Sequence, residues 1–326
     1  MHIFVPRESK AGERRVAIVP DVIAKYLRAG FTVAVEGGAG VHALADDESL
    51  RSAGATIVSA SEISKADVVL SVNPLTAEQF SQLKKGAITI SFLSPNQSLD
   101  SISASAKAGA TSFSLELVPR ISRAQSMDAL TSQALCAGYR AALVAAELAP
   151  RFFPLLMTAA GTVTPANVVV LGAGVAGLQA IATARRLGAV VSAYDVRPAS
   201  ADEVRSMGAT FIDLQLEALD GAGGYAREMS EERAAKQREL LTPYLANADV
   251  VITTAAVPGR PAPRLVTEEM VGAMKPGAVV VDLAAESGGN VAGSTPGEIT
   301  ERNGVRIWGG KDVPSQLPFH ASQLFA

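Results

Sequence analysis

Three glycines in the middle of the chain have the spacing of a turn that binds a phosphate group. Gly172, Gly174 and Gly177 follow the apolar run 168–171, which is typical of a buried strand, and an amphipathic helical pattern follows over 175–187. In such a turn the first glycine makes the tight bend, the second lets the backbone approach a pyrophosphate, and the third lets the helix pack on its strand. The N-terminus of the helix then presents N–H groups to the anion.

An acidic residue after the next apolar run completes a dinucleotide-binding pattern. Asp195 follows the predicted strand 190–194, about 20 residues after the last glycine, which is the distance that this pattern requires. A carboxylate there accepts hydrogen bonds from a ribose 2′-hydroxyl and repels a 2′-phosphate, so it favours NAD(H). Arg197 opposes this preference, since an arginine just past the strand can bind a 2′-phosphate. The alternative is that the glycines only pack an ordinary βαβ unit.

The elements that must position these residues alternate between short strands and helices. This order predicts an α/β protein with two doubly wound, Rossmann-like domains of parallel sheets, joined by a long helix. We expect the first domain over 1–130 together with 319–326, and the NAD(H)-binding domain over 131–318. Strands are predicted at 2–5, 32–36, 56–58, 68–72, 87–92, 111–117, 168–171, 190–194, 250–253 and 279–283. Helices are predicted at 22–28, capped by Asp21, and at 77–84, 98–107, 131–148 and 175–187.

Composition excludes several classes of function. The formal net charge of the 326 residues is −3, which argues against a nucleic-acid partner. The N-terminus lacks the apolar stretch of a signal peptide, and no apolar run reaches the roughly 20 residues of a membrane helix, so we expect no direct membrane insertion. The single cysteine, Cys136, is predicted to be a small core residue. The histidines show no metal-ligand spacing, so no metal site is expected.

A catalytic acid or base is missing where a dehydrogenase of hydroxy or amino acids would need one. Such an enzyme needs a proton carrier, commonly His or Lys, and a cation for the substrate carboxylate. Arg15 can supply the cation. The segments 71–75 and 91–97, at the ends of two predicted strands, contain no ionisable residue. The sequence therefore argues against chemistry on a hydroxy or amino acid.

Four segments together resemble a known family. They are VPRES…ERRVAIVPDVIAKYLRAGFTVAVEGGAG, the loop VPRISRAQSMDALTSQ, the glycine segment VVVLGAGVAGLQAIATARRLGAVVSAYDVRP, and TTAAVPGRPAPRLV…MKPGAVVVDLAAESGGN. Over essentially its whole length the chain resembles the NAD(H)-binding component (domain I, alpha subunit) of proton-translocating NAD(P) transhydrogenase, which is similar to the alanine dehydrogenase family. Alanine dehydrogenases carry a lysine about where Asn73 stands and a histidine near Leu93 or Ser94. Their loss fits a hydride acceptor that is another nicotinamide, because that transfer needs no protein acid or base.

The resemblance implies an enzyme component of the Re/Si-specific, proton-translocating type. It implies hydride transfer between NAD(H) and NADP(H) bound on a partner domain, coupled to proton translocation. The implied partners are membrane-spanning and NADP(H)-binding subunits and a second copy of the chain. The implied location is cytoplasmic, at the inner face of the cell membrane and held there by those subunits. The alternatives are an alanine dehydrogenase-like enzyme and a non-catalytic NAD-binding module. In the family the chain continues past LPFHASQLFA with a helix that returns to the first domain.

The resemblance also assigns roles to individual residues. Arg120, Gln125 and Asp128 would contact the nicotinamide end of NAD(H) and serve the hydride step, and Thr131 would add a hydroxyl contact. The family's mobile loop matches 220–229. The implied cofactor-binding residues are Arg120, Ile121, Ser122, Arg123, Gln125, Asp128, Thr131, Gly172, Gly174, Val175, Gly177, Asp195, Val196, Arg197, Gly224 and Tyr225.

Each of these assignments has a plainer alternative. Arg120 or Arg123 can form an ion pair with Asp128 that only links the domains. The glycine-rich loop with Tyr225 at its tip can be a tolerated insertion. Glu286 stands where alanine dehydrogenases have a catalytic-pocket aspartate, and it can instead be a surface carboxylate.

Overall fold

The computed structural model of the chain describes residues 1–216, 230–256 and 259–326. These residues form two compact units. The first unit is Met1–Gln133 together with Pro314–Ala326, and the second is Ala134–Val313. Each unit contains a sheet of mainly parallel strands with helices between them, which confirms the predicted α/β, Rossmann-like fold class.

The strands and helices have the following bounds. The strands of the first unit are β1 (His2–Val5), β2 (Thr32–Glu36), β3 (Thr56–Val58), β4 (Val68–Leu70), β5 (Ile88–Ser91) and β6 (Thr111–Ser114). The strands of the second unit are β7 (Leu156–Thr158), β8 (Gly161–Val163), β9 (Asn167–Leu171), β10 (Val190–Tyr194), β11 (Thr210–Phe211), β12 (Val250–Thr253), β13 (Val279–Asp282), β14 (Ile299–Arg302) and β15 (Val305–Gly309). The helices are α1 (Pro20–Arg28), α2 (Asp47–Ser52), α3 (Ala77–Gln82), α4 (Leu99–Ala108), α5 (Ala129–Leu148), α6 (Val175–Arg186), α7 (Ser200–Ser206), α8 (Glu231–Asn247), α9 (Glu268–Gly272) and α10 (Pro318–Phe325).

The first unit is built on a sheet of six parallel strands in the order β3-β2-β1-β4-β5-β6. The chain moves outward from β1 to β3 and then returns to the other side of β1 with β4. Ile3 of β1 is therefore paired both with Val33 of β2 and with Val68 of β4. In doubly wound sheets the crevice at such a reversal of strand order is where ligands bind. In the first unit this crevice lies beyond the carboxyl ends of β1 and β4.

The second unit contains a seven-stranded sheet in the order β11-β10-β9-β12-β13-β15-β14. Its reversal of strand order lies between β9 and β12, at the strand that leads into the glycine turn. The prediction of wholly parallel sheets is wrong at one edge, because β14 is antiparallel to β15. Asn303 and Gly304 join these two strands with positive φ angles of 53° and 75°. A two-residue turn with both φ angles positive fits a tight antiparallel hairpin.

The central strands are buried on both faces by small aliphatic side chains. Val168–Leu171, the apolar run of β9, is 0–5% exposed along its whole length. Ala180, Ile181 and Ala184 of α6 belong to the core on one face, and Leu241 and Leu245 of α8 belong to the core on the other. A sheet covered by helices on both sides has strands that are continuously apolar rather than alternating.

Several element ends differ from the prediction. Helix α1 begins with Pro20 and its N-cap is Val19, so the expected cap by Asp21 is wrong and that residue lies in the first turn. Proline is favoured at the first helical position, where its missing N–H leaves no hydrogen bond unmade. Strand β6 ends at Ser114 and the chain continues as a 3₁₀ turn. Within the described part of the chain, no helix is long and apolar enough to cross a membrane.

Candidate functional site

The glycine turn follows β9 and is closed by contacts that only glycine permits. Gly172 has a φ of 102°, and a Cβ on it would lie 2.6 Å from the hydroxyl oxygen of Thr254. A Cβ on Gly177 would overlap the carbonyl oxygen of Gly172. Gly174 differs, because a Cβ on it would meet no atom within 4 Å. The turn is therefore packed tightly at its first and third glycines and open at the second, directly before α6 begins at Val175. This shape fits a pyrophosphate that lies against the backbone.

Side chains from two neighbouring loops fix the shape of this turn. The hydroxyl of Thr254, just after β12, donates to the carbonyl oxygen of Gly172 at 3.1 Å. Asn290, which is fully buried, accepts from the main-chain N–H of Ala255 and donates to the carbonyl oxygens of Ala255 and Pro263. The sequence patterns did not indicate either side chain. The position of Thr254 directly after a buried strand is the signal that could have found it.

Asp195 lies at the carboxyl end of β10 and is heavily hydrogen-bonded. Its Oδ2 accepts from the backbone N–H of Ala173, inside the glycine turn, at 2.8 Å. Its Oδ1 accepts from the backbone N–H of Arg197 at 2.9 Å. The guanidinium of Arg197 donates to both oxygens, each at 2.9 Å. Val196 is partly buried and packs against the core. Asp195 therefore stands at the position that discriminates the adenosine ribose, in contact with the turn.

The segment 120–128 encloses a cavity of about 370 Å³ in the first unit. Most of the residues assigned to it from the sequence line this cavity, namely Arg120, Ile121, Ser122, Gln125 and Asp128, together with Ala124. Gln125 is exposed, and among the described residues its side chain has no hydrogen-bond partner. Arg123 is exposed and is not among the lining residues. The cavity therefore presents an available amide beside an arginine and a carboxylate.

Asp128 connects this cavity to the long helix α5. Its carboxylate accepts from the backbone N–H of Thr131 at 2.9 Å and from the Thr131 hydroxyl at 2.7 Å. These contacts cap the helix, which therefore begins at Ala129 rather than at the predicted residue 131. The same carboxylate lies 3.7 Å from Nε of Arg120. Both members of this ion pair belong to the first unit, so it does not link the two units.

A second polar cluster lies at the reversal of strand order in the first unit. Arg15 donates through Nε and Nη2 to the two carboxylate oxygens of Glu13, at 2.8 and 2.6 Å, and through Nη1 to Gln133 at 2.9 Å. Asn73 donates its amide to Glu8 and to Glu13, each at 2.9 Å. Arg15 is thus matched by an internal carboxylate. This corrects the expectation that it is available to bind a substrate carboxylate.

The two glutamates of this cluster titrate in opposite directions. Burial raises the pKa of Glu8, and the hydrogen bonds from Asn73 and Val72 do not offset it. Burial also acts to raise the pKa of Glu13, but the hydrogen bonds and the charge of Arg15, helped by Asn73, outweigh it and lower the pKa to about 2. Glu13 therefore carries a negative charge that balances Arg15 at neutral pH. The sequence patterns singled out neither glutamate, although Glu8 closely follows β1.

The remaining sequence assignments are placed as follows. Glu286 is exposed, and its carboxylate accepts from the backbone N–H of Asp312 at 2.9 Å. The expected mobile loop 220–229, with Gly224 and Tyr225, lies outside the described residues. Cys136 is buried, as predicted. Among the described residues, no three His, Cys, Asp or Glu side chains are grouped so that they could hold a metal ion.

Comparison with known proteins identifies the family. The alanine dehydrogenase/PNT N-terminal domain matches residues 4–137, and the C-terminal domain of the same name matches residues 141–326. An NAD(P) transhydrogenase alpha subunit of Rhodospirillum rubrum is 51% identical over 336 residues, which cover 100% of this chain and 88% of that protein. The solved structure of transhydrogenase from Sinorhizobium meliloti has a TM-score of 0.91 and 47% identity, and covers 100% of this chain and 91% of its own.

A more distant relative shows the other branch of the family. Alanine dehydrogenase of Mycobacterium tuberculosis is 34% identical over 301 residues, which cover 91% of this chain and 76% of that protein. Both kinds of relative match most of the chain, and the transhydrogenases match it at the higher identity. The chain belongs to the alanine dehydrogenase/PNT family and, within it, is more similar to the transhydrogenase alpha subunits than to this alanine dehydrogenase.

Proposed function

We propose that the chain is the NAD(H)-binding subunit of a proton-translocating transhydrogenase of the Re/Si-specific type. It would exchange hydride between NAD(H) on this chain and NADP(H) on a partner domain. A membrane-spanning subunit would couple the exchange to proton translocation. We further propose a homodimer that is held at the cytoplasmic face of the membrane through these partners. The names of the similar transhydrogenase subunits support the assignment.

One observation carries this proposal: the cluster around Asn73 offers no proton carrier and no available cation. An enzyme that oxidises an amino acid needs both. Here the amide of Asn73 is bound to Glu8 and Glu13, and the guanidinium of Arg15 is bound to Glu13 and Gln133. Transfer between two nicotinamides needs neither group. The second candidate function, an alanine dehydrogenase-like enzyme, is favoured only by the shared family.

The described residues divide the work of binding between the two units. NADH supplies the hydride when it is bound. In the second unit the open backbone at Gly174 and the N-terminus of α6 would hold the pyrophosphate, and Asp195 would accept from the adenosine ribose. In the first unit Arg120, held near Asp128, and the available amide of Gln125 would orient the nicotinamide end. Positioning must supply most of the catalysis, because no acid or base takes part.

Mixing the chain with an NADP(H)-binding transhydrogenase domain tests this proposal. We expect NADH to be oxidised by an NADP⁺ analogue only when both proteins are present. The matched control is the chain alone with NAD⁺ and alanine, and with NADH, pyruvate and ammonia. Clear turnover of alanine or pyruvate, without hydride exchange, would favour the alanine dehydrogenase-like function. Binding of NADH without either activity would favour a non-catalytic module.

A further inference from the structure

The carboxylate of Asp195 is saturated with hydrogen bonds from the protein itself. Oδ1 accepts from the backbone N–H and the Nε of Arg197, and Oδ2 accepts from the backbone N–H of Ala173 and the Nη2 of Arg197. All four distances are 2.8–2.9 Å. An ionised carboxylate has about four acceptor sites. Each of them is therefore already used.

A ribose diol brings two further hydroxyl donors to this carboxylate. It can be accepted only if donors already present give way. The two backbone donors are fixed by the glycine turn and by the chain after β10. The guanidinium of Arg197 is the donor that can leave, because its side chain is 21% exposed and reaches solvent.

We propose that Arg197 is a specificity-determining residue that competes with the adenosine ribose for Asp195. This inference rests on the proposed function, since it takes NAD(H) to bind at the glycine turn. In the free protein the guanidinium occupies both carboxylate oxygens, and ribose binding displaces it. The ion pair thus lowers the affinity for NADH. It also decreases the discrimination against NADPH, because a displaced guanidinium lies beside the 2′ position and can pair with a phosphate there.

Calorimetric titration of three variants with NADH and NADPH tests this role. Arg197→Gln removes the charge and the two-point contact. We expect it to bind NADH about fivefold more tightly than the unmodified chain, the size expected for loss of a partly exposed ion pair. Its affinity for NADPH should stay equal or fall. Arg197→Lys keeps the charge but not the two-point geometry, so its NADH affinity should be intermediate. Arg186→Gln, at an exposed position of α6, makes the same change of net charge and should leave both affinities unchanged.

A third ligand separates competition at the ribose from a general effect of charge. The 2′-deoxyadenosine analogue of NADH lacks one of the two competing donors. The gain in affinity on Arg197→Gln should therefore be smaller for this analogue than for NADH. An equal gain for both ligands would contradict the inference.

Two other results would overturn it. Weaker or unchanged NADH binding by Arg197→Gln would mean that the guanidinium contacts the nucleotide directly or does not compete. Failure of the unmodified chain to bind NADH would overturn the proposed function, and the inference with it. Normal NADH binding by the unmodified chain, with no change in Arg197→Gln, would overturn the inference alone.

Discussion

The guanidinium of Arg15 and the carboxylate of Glu13 form a buried ion pair with two contacts, at 2.8 and 2.6 Å. The side chain of Arg15 is 8% exposed and that of Glu13 is 0% exposed. A buried pair of this kind adds little net stability over apolar residues, but removal of one partner leaves an uncompensated charge. The pair therefore belongs to the structure of the first unit rather than to a substrate site.

We expect Glu13→Gln to lower the free energy of unfolding by about 3 kcal/mol at pH 7. The pKa of Glu13 is lowered from its ordinary value of 4.5 to about 2, so the folded state favours the ionised form. This contribution is fully present above about pH 4.5 and is lost as the pH falls toward 2. Urea unfolding at pH 7 and pH 3 measures it. The difference between the unmodified chain and the variant should shrink at the lower pH, and an equal difference at both would contradict the assignment.

Glu8→Gln is the matched control for this measurement. Burial raises the pKa of Glu8, so the folded state favours its neutral form. Its contribution is present at low pH and is lost as the pH rises through the raised pKa. Relative to the unmodified chain, Glu8→Gln should therefore become more stable as the pH rises, which is the opposite trend to that of Glu13→Gln.

Alanine substitutions at two glycines of the turn should separate binding from folding. Gly174 has a φ of −77° and open space around a Cβ, so Gly174→Ala should leave the unfolding free energy nearly unchanged. It should weaken NADH binding at least tenfold, because the methyl group occupies the face that the pyrophosphate approaches. Gly177→Ala should lower stability instead, since its Cβ overlaps the carbonyl oxygen of Gly172. Thermal unfolding with parallel NADH titration measures both. Normal NADH affinity in folded Gly174→Ala would exclude this turn as the pyrophosphate site.

Asp195→Ala should narrow the preference for NADH over NADPH. The variant loses an acceptor for the ribose hydroxyls and a charge that repels a 2′-phosphate, and it leaves Arg197 available to that phosphate. We expect the difference between the two binding free energies to decrease by about 1–3 kcal/mol. Calorimetry with both nucleotides gives this difference. Equal affinity of the unmodified chain for NADH and NADPH would contradict the NAD(H) assignment.

Much of the fold could be predicted because it is written in local patterns. The apolar run before Gly172 and the helical pattern after Gly174 fix the central βα unit of the second unit. The hairpin of β14 and β15 was missed, although Asn303 and Gly304 are a strong signal for such a turn. The cap of α1 was misplaced because the proline, rather than Asp21, sets the start of the helix.

The contacts that organise the sites could not be predicted from local patterns. Glu8 and Asn73 are bonded across 65 positions of sequence, and Thr254 and Gly172 across 82. The rule that ligand sites gather at the carboxyl ends of strands places each residue near a site. It does not say which donor meets which acceptor. That choice depends on the three-dimensional positions of the loops, as the saturation of Asp195 by Arg197 illustrates.

We expect Gln125→Asn to slow hydride transfer strongly while leaving NADH affinity nearly unchanged. The substitution shortens the amide by one methylene and keeps its chemistry, so it disturbs positioning rather than binding. Arg120→Ala should weaken NADH binding as well, because a charge-assisted contact is lost. Equilibrium titration and stopped-flow transfer with the NADP(H)-binding partner separate the two effects. An unchanged transfer rate in Gln125→Asn would mean that the segment 120–128 has no role in the hydride step.

Direct transfer of an isotope from one nucleotide to the other tests the central claim most directly. The chain is loaded with NADH dideuterated at C4, the partner domain with NADP⁺, and the products are analysed by mass spectrometry after rapid mixing. We predict one deuterium in each NADPH formed and none released to water. Formation of no labelled NADPH beyond that of the partner domain alone would contradict the assignment of this chain as the NAD(H)-binding component of a transhydrogenase.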